Sequence, residues 1–253
     1  MCSSDLAAVL WRALSGVIYF NKTCFSGGSC CVPVTNLPPV CSAGGPYQAE
    51  CAGSATALAL DASGSSDPDG LVLTATWSTS CPGGVFDDPM SLSPTLLVDG
   101  SAGCPVTCDV TLVVSDGVLT SRCVAAVSVV DTSAPSVVAA SSPAVTLWPP
   151  NHRLVTLEAS VLAPRIVDEC DTATTWQLVD CVSDQPDDAT GDGHTSGDCR
   201  VSADGTSFTV RAERDGAQPE GRTYTLMVTA TDGCGNTSGA LVAGTVHVPR
   251  DQR

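Results

Sequence analysis

An all-β chain of two antiparallel β-sandwiches in tandem, stapled by disulfides, is the fold this sequence predicts, and three observations predict it. Thr, Val, Ser, Ala and Gly dominate, 17 prolines interrupt the chain, and long helix-forming runs are scarce. Short runs of alternating apolar residues recur between turns rich in Asp, Gly, Ser and Pro. A length of 253 residues accommodates two sandwiches of about 100 residues each, with a remainder.

The first 37 residues stand apart as an unassigned segment. Met1–Leu6 reads M-C-S-S-D-L and resembles a translated sequencing-adapter tail, so the expectation is that a native N-terminus with its signal peptide is missing. Leu6–Phe20 is apolar but contains Arg12 and falls short of the roughly 20 residues a membrane helix needs. Asn21-Lys22-Thr23-Cys24 follows it instead of a small-residue cleavage site. Residues 7–37 read as the tail of a preceding module.

The first sandwich is expected over residues 38–131. Its strands are Thr56–Leu60, Val72–Ser78, Thr95–Val98, Val110–Val114 and Val124–Val130, separated by D-P-D-G, S-C-P-G-G, D-G-S-A-G and S-D-G turns. The last two strands form a hairpin through an Asp-Gly turn. Trp77 lies on the third strand of the sandwich, where a core aromatic is expected in preference to a sugar platform. G-G-P-Y near the start, D-A-S-G-S-S-D-P-D-G (Asp61–Gly70), Trp77 and the closing S-D-G resemble a PKD-type (polycystic-kidney-disease) domain, which implies an immunoglobulin-like sandwich of an extracellular modular protein. The likeness covers some 90 residues. It departs after Trp77, where many such domains carry W-D-F-G-D-G and this chain has S-T-S-C-P-G-G.

V-V-D-T-S-A-P (Val129–Pro135) reads as a short linker, and the second sandwich is expected over residues 132–253. L-W-P-P-N-H (Leu147–His152) precedes an alternating run from Leu154. R-A-E-R (Arg211–Arg214) and the long strand from Tyr224 to Ala230 follow, then T-D-G-C-G-N and a last strand, Leu241–Val248. These motifs resemble the hyalin-repeat-like immunoglobulin-like modules of large secreted bacterial proteins. Two different likenesses exclude a simple repeat array.

Fourteen cysteines spread along the chain without zinc-ribbon or finger spacing point to disulfides in an oxidising compartment. Six lie in the first unit and permit 15 connectivities. The sandwich topology implied by the resemblance puts the first and last strands side by side and favours Cys41–Cys123, with Cys81–Cys104 and Cys51–Cys108 at the opposite end. In the second unit Cys181–Cys199 would close the Asp/Gly loop Ser183–Asp198, and Cys170–Cys234 would join two polar turns.

One lysine, Lys22, stands against 27 acidic residues, for a net charge of −16. Such a surface repels nucleic acid and anionic membranes and leaves proteins, polysaccharides or divalent cations as partners. No cofactor is required, but calcium has two candidate sites, because loops rich in Asp and Gly supply the oxygen ligands a hard cation needs. One is Asp67 and Asp69; the other is Asp184, Asp187, Asp188, Asp192 and Asp198, with His194 standing where a further acidic or amide ligand is expected. The alternative is that these carboxylates are simply solvated.

The sequence offers no catalytic constellation. His152, His194 and His247 have no context that pairs them with a nucleophile and an orienting acid, and a G-x-S-x-G elbow appears only as the broken Gly53–Ala57. H-E-x-x-H and P-loop patterns do not occur. The paired carboxylates Asp87-Asp88, Asp168-Glu169 and Asp187-Asp188 are ordinary in acidic loops. Trp148 is held by two prolines and is expected to bury its ring at the sandwich end, with an exposed ligand platform as the other reading. Arg211, Glu213 and Arg214 are expected to form an exposed ion-pair ladder. The function implied is non-catalytic: a spacer or adhesion module of a secreted or surface protein, monomeric within a larger chain. The alternative is an accessory module that binds polysaccharide for an upstream hydrolase.

Overall fold

The computed structural model describes residues 17–22, 30–138, 144–171, 173–188 and 195–250. Met1–Leu6, Asp192 and His194 lie outside the described residues. The chain forms two compact units, Met1–Val130 and Asp131–Arg253, and among the described residues every regular element other than two 3-10 turns is a strand.

In the first unit the strands are β1 (Val17–Lys22), β2 (Cys30–Thr35), β3 (Tyr47–Glu50), β4 (Thr56–Ala59), β5 (Thr74–Thr79), β6 (Val85–Phe86), β7 (Thr95–Val98), β8 (Val106–Ser115) and β9 (Thr120–Val130). β1 and β2 pair antiparallel in a two-stranded sheet of their own. A four-stranded sheet, β3-β9-β8-β5, faces a three-stranded one, β4-β7-β6. Alternation decides the faces, because successive side chains of a strand point to opposite sides. Leu58, Leu96 and Val98 from the small sheet meet Ala75, Trp77, Val110, Leu112, Val114, Val127 and Val129 from the large one, all buried. Trp77 belongs to this core and satisfies its indole N–H on the Ser91 carbonyl at 3.0 Å. Val72, expected to begin a strand, is 89% exposed, and pairing starts at Thr74 instead.

The second unit contains β10 (Ser136–Val138), β11 (Val145–Thr146), β12 (Leu154–Glu158), β13 (Arg165–Val167), β14 (Thr175–Ser183), β15 (Cys199–Val201), β16 (Ser207–Arg211), β17 (Arg222–Thr231) and β18 (Leu241–Val248). β11-β18-β17-β14 forms the larger sheet and β12-β16-β15 the smaller, while β10 and β13 pair separately. Phe208 and Val210 pack against Leu178, Tyr224, Leu226, Val228, Val246 and Val248. On β17 every second residue from Arg222 to Ala230 is buried and the intervening Thr and Met residues are not. One member of that buried row is an arginine, and it organises the site described below.

Among the described residues ten cysteines are disulfide-bonded. Cys41 joins Cys123 and Cys181 joins Cys199, the pairs expected. The opposite end of the first unit differs: Cys81 bonds Cys108, which overturns both Cys81–Cys104 and Cys51–Cys108. Register is the reason. Thr79 lies across from Val110 on antiparallel neighbours, so two steps further along each chain brings Cys81 to Cys108, a residue inside β8 and not in the turn before it. Cys51 and Cys104 are bonded as well, and the turn after Cys51 is held against Gly100, whose N–H donates to the Gly53 carbonyl. Cys170 and Cys234 are also bonded, and their neighbours are tied together where the Gly233 N–H donates to Asp171.

Candidate functional site: a buried ion network and three acidic clusters

Arg222 opens β17 with its side chain pointing into the second unit, fully buried. Its guanidinium lies 5.1 Å from the centre of the Tyr224 ring, within reach of a cation–π contact. Nε donates to Ser183 Oγ at 2.8 Å, and Nη2 donates to the carbonyls of Pro186 and Gln185 at 3.0 and 3.3 Å. Nη1 faces two buried carboxylates, Asp198 at 2.9 Å and Glu213 at 3.2 Å. Arg211 closes the network from the side, 2.9 Å from Asp198 and 3.7 Å from Glu213. Thr195 donates to Glu213, and His152 Nδ1 lies 3.3 Å from its Oε2.

These contacts correct the exposed ladder expected of Arg211, Glu213 and Arg214. β16 ends at Arg211, and the chain then turns inward, with the Glu213 N–H donating to the Arg211 carbonyl. The carboxylate is thereby carried under the surface, where partners from distant segments await it. A buried network of this kind gives little net stability over an apolar core, but it penalises every arrangement that leaves one member unpaired. It therefore fixes how Ser183, Gln185, Pro186 and Asp198 sit on their own sandwich.

Loss of solvent and the adjoining Asp198 carboxylate push the Glu213 carboxyl above its ordinary value. The folded state then holds that proton more tightly than the unfolded one. Glu213's contribution is fully present below the unfolded value and declines as pH rises through the folded one. Glu213→Gln lacks this slope. Its stability relative to the natural chain is expected to rise from about pH 4 to pH 7, as read by urea melts at several pH values.

The network also accounts for the acidic loop expected to take calcium. The Asp198 carboxylate is shared between two guanidinium groups. Asp187 accepts the N–H groups of Gly197 and Asp198, and Asp184 accepts that of Thr223. Asp188 is exposed. Asp184, Asp187 and Asp198 thus already hold internal donors. A different trio converges in this unit: Asp131, Asp168 and Asp232 bring one carboxylate oxygen each to within 4.8 Å of one another. Asp168 accepts from the N–H groups of Cys170 and Asp171, and Asp232 from the backbone and side chain of Asn236. The turns that carry Cys170 and Cys234 were expected to meet, but their carboxylates were not singled out in the sequence as a cluster. In the first unit Asp67 caps its own turn through Asp69 and Leu71, and Asp69 reaches the Leu37 N–H.

Trp148 is 41% exposed, against the expectation that it buries its ring. Leu147, which packs on the core, takes the inward position, and alternation sends Trp148 out. The loop is held by the Asn151 and His152 N–H groups, both donating to the Ala212 carbonyl. His247 lies 3.4 Å from the Thr223 hydroxyl. Among the described residues the nearest approach to a catalytic grouping is Thr195, Glu213 and His152. Its hydroxyl donates to the carboxylate and not to the imidazole, so the hydroxyl–imidazole pair of a nucleophilic triad is not formed there. Among the described residues no helix is long and apolar enough to cross a membrane.

No family model and no curated protein matches the chain. Among solved structures, the chain is similar to human protocadherin-24 EC1-2, with 17% identity over 86% of this chain and 100% of that one, at a TM-score of 0.40. It is similar to a nucleoside hydrolase-related hypothetical protein from Saccharophagus degradans associated with carbohydrate metabolism, with 22% identity over 38% of this chain and 26% of that one, at a TM-score of 0.32. An endo-fucoidan hydrolase of glycoside hydrolase family 107 matches at 18% identity over 96% of this chain and 34% of that one, with a TM-score of 0.32.

Proposed function

We propose that this chain is a non-catalytic extracellular interaction module, a stapled pair of sandwiches that spaces or attaches a larger secreted or surface protein. The observation that carries the reading is the disulfide pattern: cysteines in both units are bonded, and such bonds persist in oxidising compartments. The ionisable groups buried deepest are committed to one another, which suits a scaffold. A surface of net charge −16 favours basic or cation-bridged partners over nucleic acid. Beads coated with the oxidised full chain should adhere to intact cells above uncoated beads, and protease treatment of the cells should abolish the adhesion. Adhesion no greater than that of uncoated beads would reject the attachment role.

The second reading, polysaccharide binding beside a hydrolase, draws on Trp148, an exposed aromatic on a loop stiffened by Pro149 and Pro150. If it holds, affinity electrophoresis in gels containing soluble polysaccharides should retard the chain, and Trp148→Ala should weaken the retardation by about tenfold. Equal mobility of the two proteins in every gel would dismiss this reading.

A further inference from the structure

The acidity of this chain is interrupted in one place. No Asp or Glu occurs between Asp131 and Glu158, and that stretch carries the exposed Trp148, His152 and Arg153. A series of contacts joins Arg200 to it. Arg211 Nη1 donates to the His152 carbonyl at 3.2 Å, and Nη2 donates to the Ser196 carbonyl at 3.5 Å. At the next residue, Gly197, the Arg200 guanidinium fills the space that a Cβ would take. Arg200 stands on β15 across from Thr209, which lies across from Thr156 on β12. The two threonine hydroxyls are 3.0 Å apart. The outer side of β12-β16-β15 therefore sets an arginine beside a pair of hydroxyls, next to the loop that carries Trp148.

Two of these cations are uncommitted. Among the described residues Arg153 and Arg200 are exposed and in no ion pair. The carboxylates that touch the group are occupied elsewhere. Asp198 and Glu213 are buried and matched by Arg211 and Arg222, while Asp187 accepts the N–H groups of Gly197 and Asp198. Glu158 stands at the far end of β12, across from Ser207. A chain with 27 acidic residues against 11 basic ones has carboxylates in excess for any surface arginine, yet these two have none. An open guanidinium is a fork of donors that fits a carboxylate or a sulfate. The exposed indole offers an apolar plane for the C–H face of a sugar ring, and the hydroxyl pair suits sugar hydroxyls. Together they favour an anionic polysaccharide over an acidic peptide.

We infer that the Trp148–Arg153 loop and Arg200 form a surface that binds a polysaccharide carrying carboxylate or sulfate groups, with a sugar ring on Trp148 and anions on the two arginines. The inference rests on the polysaccharide reading above and names the chemical class of that ligand. A polymer with repeated anions reaches the arginines and the indole at once without their touching each other. The net charge of −16 repels polyanions from the rest of the protein, so binding has to be local.

Biosensor tips coated with dextran, dextran sulfate, polygalacturonate or poly-L-glutamate, dipped into the oxidised full chain, test this. Dextran sulfate or polygalacturonate should bind the chain well above dextran, and the tighter of the two identifies the anion. Raising salt from about 50 to 500 mM should weaken that binding severalfold. Arg153→Gln with Arg200→Gln should weaken it by about tenfold or more, and Trp148→Ala by about tenfold. All three residues are exposed, so the variants should melt as the natural chain does. Arg165→Gln, exposed on β13 in a separate sheet, should bind unchanged; an equal loss there would mark the attraction as diffuse and reject the site. Binding to dextran alone, lost in Trp148→Ala, would overturn the anionic class and leave the polysaccharide reading standing. Binding to none of the three polysaccharides would remove both. Poly-L-glutamate held as tightly, with Trp148→Ala inert, would overturn the inference in favour of acidic peptides.

Discussion

Arg222→Met is expected to destabilise the second unit by about 3–5 kcal/mol, because it leaves Asp198 and Glu213 buried with only Arg211 to balance them. The side chain it removes is fully buried and touches both carboxylates, Ser183 and two backbone carbonyls. Methionine keeps most of the packing over Tyr224, so the loss reports charge and hydrogen bonding more than volume. For a unit of this size the melting temperature should fall by roughly 10–20 °C, while the first unit's transition stays where it was. Adding Asp198→Asn and Glu213→Gln to Arg222→Met should recover a large part of the loss, since the cost lies in unpaired charge. A drop of under about 1 kcal/mol for the single variant would show that water reaches the network and screens it.

Cys41→Ser with Cys123→Ser is expected to cost the first unit about 4–5 kcal/mol, the loop-closure entropy of a bond spanning 82 residues of sequence. Net stabilities of whole domains are about 5–15 kcal/mol, so the loss removes much of what holds this unit folded at physiological temperature. Urea titration of the double variant, followed by Trp77 fluorescence, checks this. Trp77 is central to the first core, and its indole loses the Ser91 hydrogen bond on unfolding. The bond is independent of the ion network, which lies wholly in the other unit, so combining the two sets of variants should give additive losses.

Local chemistry made the strands legible. Thr95–Val98 and Leu241–Val248 occupy the spans that alternation assigns to them, because half-buried strands must alternate to bury one face. The ends were harder. β5 starts two residues later than alternation suggests, since Val72 belongs to the turn, and the four residues of β3 are recruited by parallel pairing with β9, which no local pattern announces. Disulfide register failed where the expectation relied on which end of the sandwich a cysteine occupies; Cys104 and Cys108 share an end, and only the pairing of β5 with β8 distinguishes them. The ion network was hidden for a related reason. Arg222, Asp198 and Glu213 look like ordinary surface charges of an acidic protein, and residue type alone does not tell a solvated arginine from one enclosed by partners far along the chain. One clue was present: Arg222 falls in phase with Tyr224, Leu226 and Val228, on the face that alternation assigns to the core.

The bond between Cys41 and Cys123 has a mechanical consequence. Cys41 lies at the head of the first sandwich and Cys123 on its last strand, and β3 runs parallel to β9. A pull applied at residues 38 and 131 therefore travels through sulfur rather than through the hydrogen-bonded strands. The stretch from Cys41 to Cys123, a sequence separation of 82 and roughly 280 Å of extended chain, is withheld from stretching while the bond is intact. In an oxidising medium the first unit is then an inextensible link under tension. Reduction would convert it into a spring whose yield is set by the shear of β3 against β9, so the redox state of its surroundings governs how far a load can lengthen this protein.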